Sequence, residues 1–402
     1  MKKVPHRFLV IGFSFIGLLL GLAVVAIIYG YTSYRSIVVT KNTARVTQPP
    51  NEPTTPPTPT PDPNRDFGVL LMGYGGGGHQ GGYLTDTMIL TYIQPKKQKI
   101  TLISIPRDLW VPLATSQTDP KHFKINAAYA VGKDDKKYPD KPVEYTGRAG
   151  GGFMAIDTVK LITGLNVEHF ATLSFAGFTK SIDTLDGVVV RVPITFDDFF
   201  YPIEGEENNT CGFSETDIAT ATASLKGDKL EQFFSCRFEH LHFDKGPQPM
   251  DGTTALKFVR SRHSAQLGAG GDFARSERQR ALIQGIKEQI FSIGFLPRAI
   301  PFVNSLKSDF ETDIDLNIMQ EYISRADEFR TYQIKSVALS TENALQFGTS
   351  SDRQSILMPK DGIDQWEGIH QYIQDELEEK PTATPTLKPT STPKIKDEKN
   401  NE

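Results

Sequence analysis

The sequence predicts an α/β layered fold. Short apolar runs of strand length recur through the middle of the chain, at 67–72, 88–93 and 100–105. Stretches with helical apolar spacing follow them, such as Phe153, Ile156, Val159 and Leu161. The two kinds then alternate, which is the pattern of helices layered on a sheet.

In chain order, 8–31 is a run of 24 uncharged, mostly apolar residues, long enough to cross about 30 Å of hydrocarbon as a helix. Lys2, Lys3, His6 and Arg7 precede it and put the N-terminus (1–7) in the cytoplasm. The competing reading is a cleaved signal peptide, whose apolar region is shorter and which needs a small-residue cleavage site not evident after Tyr31. A retained anchor places the rest of the chain outside the cell membrane. Residues 32–65 read as an extended Pro/Thr-rich spacer holding the folded part away from the bilayer.

Strands are expected at 67–72, 88–93 and 100–105, the last two joined by the hairpin-length 94–98. A helix over 152–161, a strand at 170–173, a helix over 178–185 ended by Gly187 and a strand at 188–192 continue the alternation. Residues 196–240 are polar and break the rhythm, and read as an inserted loop region. Cys211 and Cys236 lie in it; paired, they close a loop of about 25 residues for roughly 3 kcal/mol, and two free buried thiols are the alternative. A long amphipathic helix follows Arg275. Strands at 334–339 and 355–358 and a helix near 363–377 complete a unit that ends near 379. The remainder, 380–402, has the composition of a disordered tail.

The net charge is −4, from 48 acids against 44 lysines and arginines, which argues against a nucleic-acid protein. Any anion site must come from local clustering. The densest cluster is 258–280, with five arginines against two acids. Arg260 and Arg262 alternate, so in an extended segment they point the same way. Arg275, Arg278 and Gln279 are three and four apart, so on a helix they share a face. Glycines 268, 270 and 271 form a hinge, and Asp272 is placed to cap the helix after it. Forked donors converging from two sides suit a pyrophosphate; a solvated, salt-bridged helix is the plainer reading.

Gly73–Gly82 is a glycine-rich run directly after the first strand, with His79 in it. Its backbone N–H groups can approach a phosphate, but no Gly-Lys-Ser/Thr follows, which sets nucleotide hydrolysis aside. Asp86, within Thr85-Asp86-Thr87, offers a carboxylate for a divalent cation or for orienting an arginine. Arg107 offers a phosphate fork, and Lys124 a cation in a following loop. A purely structural Asp–Arg pair is the alternative.

Six ordered blocks resemble the LytR-CpsA-Psr family of cell-envelope enzymes. They are Thr-Asp-Thr-Met-Ile-Leu (85–90), Ile-Ser-Ile-Pro-Arg-Asp (103–108), Lys-Ile-Asn-Ala-Ala-Tyr (124–129), Phe-Ala-Gly-Phe to Leu-Asp-Gly-Val (175–188), Met-Asp-Gly to Val-Arg-Ser-Arg-His (250–263) and Gly-Asp-Phe-Ala-Arg-Ser-Glu-Arg-Gln-Arg (271–280). The resemblance covers 66–295 well and 296–379 loosely. It implies an α/β/α sandwich with a central mixed sheet and a hydrophobic pocket for a polyprenyl chain. It also implies a phosphotransferase that moves a glycopolymer from polyprenyl pyrophosphate onto peptidoglycan, with magnesium or manganese. In that scheme Asp86, Arg107, Arg260 and Arg262 carry catalysis, while Lys124, Arg275, Gln279 and Asp272 bind the pyrophosphate or order its ligands. Asp86 is also the metal ligand.

Two departures stand out: Gly75 where the family commonly has an acid, and Leu84 where it often has arginine. Hydrolysis with water as acceptor, and a non-catalytic lipid-phosphate-binding module, are the rival functions.

Overall fold

The computed structural model describes residues 35–42, 64–76, 82–261, 264, 271–290, 292, 299–307 and 309–378. The expected anchor at 8–31, His79, Arg262, the Asp272 side chain and the 380–402 tail lie outside the described residues. Among the described residues no helix is long and apolar enough to cross a membrane.

Six strands make the central sheet: β1 (Phe67–Tyr74), β2 (Thr85–Gln94), β3 (Lys99–Ser104), β4 (Val167–Ser174), β5 (Phe310–Thr312) and β6 (Gln333–Ala338). Their spatial order is β5-β4-β1-β2-β3-β6. The sheet is mixed. β1 pairs antiparallel with β2 and parallel with β4; β3 pairs antiparallel with β2 and parallel with β6. Helices cover both faces, as the alternation of side chains along the strands requires. Even-numbered residues of β1 and β2 (Leu70, Met72, Met88, Leu90) point into the main core. There they meet α1 (Ala127–Lys133), α2 (Gly150–Thr163) and a C-terminal helix, Glu367–Leu377. Gly152 lets α2 come close enough to seat the Phe170 ring; a Cβ there would fall 2.1 Å from it.

The odd-numbered residues Leu71, Gly73, Thr87 and Ile89 face the other way, toward α3 (Phe175–Thr184), α4 (Gly252–Arg260) and α5 (Gly271–Ile290). Ser174 caps α3 by accepting from Gly177 N, and Asp251 caps α4 by accepting from Thr254 N. Behind these helices a second core forms on two strand pairs, Val188–Val192 with Gly246–Met250 and Phe196–Pro202 with Phe238–Phe243.

Four expectations change. The 196–240 stretch is a built unit: the strand pair just named carries helices Glu215–Ser224 and Asp228–Phe233 and is closed by the Cys211–Cys236 disulfide. It reads as polar partly because one of its acids, Asp198, is fully buried with Ser261 as partner. Arg260 is the last residue of a helix, not part of an extended segment. Asp272 stands inside the first turn of α5 instead of ahead of it. Residues 35–42, whose composition assigns them to the spacer, lie against the fold. Val39 N donates to Thr312 O at 2.8 Å, and Ile37 and Val39 are buried.

Candidate active site

The site lies at the end of the sheet where β1 and β3 finish and β2 begins. Three short segments are stitched there by main-chain hydrogen bonds. Thr85 N donates to Asn126 O (3.0 Å), Asn126 N to Arg107 O (3.2 Å) and Ile125 N to Leu109 O (2.7 Å). The blocks carrying Asp86, Arg107 and Lys124 therefore position one another. The glycine run is pinched at its base, where Gly76 N donates to Gly82 O at 2.9 Å. Gly76 has φ +97°, which favours glycine.

Asp86 Oδ1 accepts from Arg107 Nη1 at 2.6 Å. Arg107 also lies between two carboxylates, with its Nε 3.6 Å from Asp108 Oδ2. That Nε is buried and makes no hydrogen bond among the described residues. Lys124 Nζ donates to Asp108 Oδ1 at 2.8 Å. From above the sheet, Arg275 of α5 donates to Asp86 O (2.7 Å) and Thr87 Oγ1 (3.3 Å). One turn further along, Gln279 Oε1 accepts from Ser104 Oγ at 3.1 Å, and Ser104 also reaches Ser276 Oγ at 3.2 Å. A small recess of about 20 Å³ lies among Asp86, Ser104, Arg275 and Gln279, with Met88, Ile105, Pro106, Ala338 and Leu339 also in its wall.

The recess adjoins a cavity of about 230 Å³ between the sheet and α3, α4 and α5. Its wall is apolar, including Leu71, Ile89, Leu173, Phe175, Phe178 and Leu282, and its polar groups are Thr87, Arg260 and Gln279. Thr87 and Gln279 belong to both spaces, so the recess and the apolar cavity share a wall. The Arg260 guanidinium stacks over the Phe175 ring, 4.3 Å from its centroid. Tyr201 hydrogen-bonds Arg260; burial pushes the Tyr201 hydroxyl pKa up, and the nearby guanidinium opposes that.

Of the residues expected in the site, Asp86, Arg107, Arg275, Gln279 and Arg260 gather around this junction. Lys124 stands beside it, joined through Asp108. Arg262 and the Asp272 side chain lie outside the described residues. Arg278 does not share the face of Arg275 and Gln279. It is buried, donates to Ser261 O at 2.6 Å and stacks over Phe196 at 4.7 Å. Burial lowers its pKa to about 10, against the pull of Asp198. Sequence reasoning missed Ser104, Ser276 and Tyr201; Ser104 and Ser276, both inside motifs already singled out, were within reach.

No group of three His, Cys, Asp or Glu residues that could hold a metal occurs among the described residues. Asp86 is the single carboxylate of the recess wall. That donor set fits a magnesium-type cation that takes most of its ligands from substrate phosphate and water.

The profile of the LytR_cpsA_psr family matches residues 28–361. The chain belongs to this family. Among its relatives, Biofilm regulatory protein A of Streptococcus mutans is 24% identical over 283 residues, 67% of this chain and 57% of that one. The chain thus spans little more than half of that relative. A Halalkalibacterium halodurans protein is 27% identical over 317 residues, 76% of this chain and 81% of its own. It is named polyisoprenyl-teichoic acid–peptidoglycan teichoic acid transferase TagU. The solved structure of gbs0355 from Streptococcus agalactiae superposes with a TM-score of 0.51 at 22% identity, over 80% of this chain and 90% of that one. That likeness reports the shared LytR_cpsA_psr fold alone.

Proposed function

We propose that this protein is a membrane-anchored phosphotransferase that moves a glycopolymer from polyprenyl pyrophosphate onto peptidoglycan. The observation that carries the reading is the shared wall: a recess that holds Arg275 and Gln279 lies beside an apolar cavity into which Arg260 also faces. The recess has room for about one water, so the pyrophosphate would sit at the junction, against Arg275, Gln279 and Arg260, with the hydrocarbon tail entering the cavity. The cavity is smaller than the roughly 300–1,000 Å³ of small-molecule sites, so it would seat the proximal part of the tail and leave the rest outside. The printed activity of the TagU relative supports the same chemistry.

In this scheme Arg107, Arg260, Arg275 and Lys124 bind the pyrophosphate oxygens and neutralise the charge that builds as the bridging P–O bond breaks. Asp86 orients Arg107 and, through its remaining oxygen, would hold a magnesium or manganese ion against the phosphates; the ion would add further charge neutralisation. An acceptor hydroxyl attacks the sugar-side phosphorus, a new P–O bond forms, the hydroxyl proton is lost, and polyprenyl phosphate leaves. With no ion on its remaining oxygen, Asp86 is the carboxylate that can take that proton; with the ion bound, the hydroxyl attacks without a protein base and the proton passes to water. The run 8–31 anchors the chain in the cell membrane with the 66–379 domain outside.

The test is product analysis with the full chain and a polyprenyl-pyrophosphate-linked glycan, with and without peptidoglycan fragments. Glycan joined to peptidoglycan through a phosphodiester is the expected product. Free phosphorylated glycan alone would overturn transfer in favour of hydrolysis. Tight binding without turnover would overturn both.

A further inference from the structure

The stretch after the expected anchor does not behave as a spacer. Ile37 and Val39 are buried, Val38 bridges in parallel to Thr312 of the edge strand β5, and Val39 N donates to Thr312 O. Arg148 clamps the carbonyls of Arg35 (3.2 Å) and Ser36 (2.7 Å), and Asn42 donates to Thr146 Oγ1 at 2.8 Å. The segment thus covers an exposed sheet edge. Its first residues sit at one particular end of the sheet. Arg148 lies 3.6 Å from Glu311, Glu311 accepts from Tyr129 OH at 2.9 Å, and the Tyr129 ring packs on Tyr74 and Tyr83. Tyr74 pairs with Thr85 in the sheet, next to Asp86. The chain therefore meets the fold at the end that carries the site.

Tyr31, the last residue of the apolar run, is only four residues before Arg35. At full extension that is about 14 Å of chain. A free spacer over 32–65 would instead stand off by about 100 Å, at ~3.1 Å per residue. The Pro/Thr run at 43–63 joins Asn42 to Asn64, two points on the same folded unit.

We infer that residues 35–42 seat the domain directly on the bilayer, with the edge bearing Tyr83, Leu84 and Arg148 against the lipid headgroups and the site mouth at headgroup level. Tyr83 and Leu84 are 47% and 37% exposed at this edge, and Tyr and Arg are side chains that suit an interface. The inference rests on the anchoring reading of 8–31, and it makes the length of the Pro/Thr run irrelevant to the height of the site.

The experiment uses the full chain in phosphatidylglycerol–phosphatidylcholine vesicles with acceptor-labelled headgroups. The donor sits on Leu84→Cys, a unique thiol because Cys211 and Cys236 are bonded to each other. Strong energy transfer is expected, unchanged when about ten residues are removed from or added to 43–63. It should fall at least threefold in Ile37→Asp/Val39→Asp, which releases the segment. Weak transfer in the parent, no fall in the double variant, or transfer that follows the length of 43–63 overturns the seating. A chain that does not float with the vesicles at all overturns the anchoring reading beneath it.

Discussion

Asp86 and Arg107 meet at 2.6 Å although they come from the start of one strand and the loop after its neighbour. Both side chains are partly exposed, at 28% and 39%, so the pair adds little to stability. What it does is hold the Arg107 guanidinium in place beside Asp108 at the strand ends. Arg107→Ala should lower turnover by about 10²–10³-fold with an unchanged melting temperature. Arg107→Lys should recover little of it, because an ammonium cannot reproduce the fork. Steady-state kinetics beside a thermal melt checks both.

Filling the cavity should separate tail recognition from head recognition. Ala171→Phe and Leu71→Trp each push bulk into the apolar wall. Calorimetry should register at least tenfold weaker binding of a long-chain polyprenyl pyrophosphate, with inorganic pyrophosphate unaffected. Equal losses for both ligands would mean that the cavity does not hold the tail.

Arg278 is a stability residue. It is buried against Phe196 and linked through Ser261 to the fully buried Asp198. Arg278→Met leaves Asp198 its hydrogen bonds from Ser261 Oγ and Phe200 N but removes the nearby positive charge, and should cost about 3–5 kcal/mol in urea unfolding. Arg278→Met/Asp198→Leu should recover most of the loss, because no buried charge is then left alone.

The strand pair Phe196–Pro202 with Phe238–Phe243 should respond to pH on its exposed side. His242 donates toward Asp197, and its other nitrogen lies 3.3 Å from Asp244. The hydrogen bond to Asp197, then that to Asp244, raises the His242 pKa, while His242 and His240 lower that of Asp197. A raised histidine pKa stabilises the fold below its ordinary value, about 6.5, and that contribution fades as pH rises through the folded value. For Asp197 the contribution is present above about 3.8 and is lost as pH falls through its lowered folded value. The contact should be strongest between these limits. An NMR titration should place the His242 midpoint above 6.5, and Asp197→Asn should bring it back down.

The unit built on that strand pair depends on its cross-link. Cys211 and Cys236 are bonded across 25 residues of sequence. Replacing both by serine should cost roughly 3 kcal/mol by the chain-entropy account, measurable as a lower denaturant midpoint. Little change in activity is expected, because neither cysteine lines the recess or the cavity.

Much of the fold was legible because it is written in local patterns. The strands β1 to β4 are short apolar runs bounded by turn residues, and α2 and α3 carry helical spacing. The edge strand β5, Phe310–Thr312, left no such signal: three residues are too few for a period, and pairing with β4 makes it a strand. Arg260 was misplaced because alternating arginines read as extended, while the capped helix begins back at Asp251. Arg278 was misplaced because three-and-four spacing marks a broad face, and α5 is packed on two sides.

The sequence alone pointed to the family through six ordered blocks and to the layered α/β class through its apolar runs, and it offered Cys211 with Cys236 as a pair beside the alternative of free thiols. Only the tertiary structure decided which arginines border the recess and the cavity and which is buried against Phe196. It also decided that the recess and the apolar cavity share Thr87 and Gln279, and that Ile37 and Val39 belong to the domain. Those outcomes depend on which distant surfaces meet, and side chains far apart along the chain acquire their roles only when the sheet and its helices close around them.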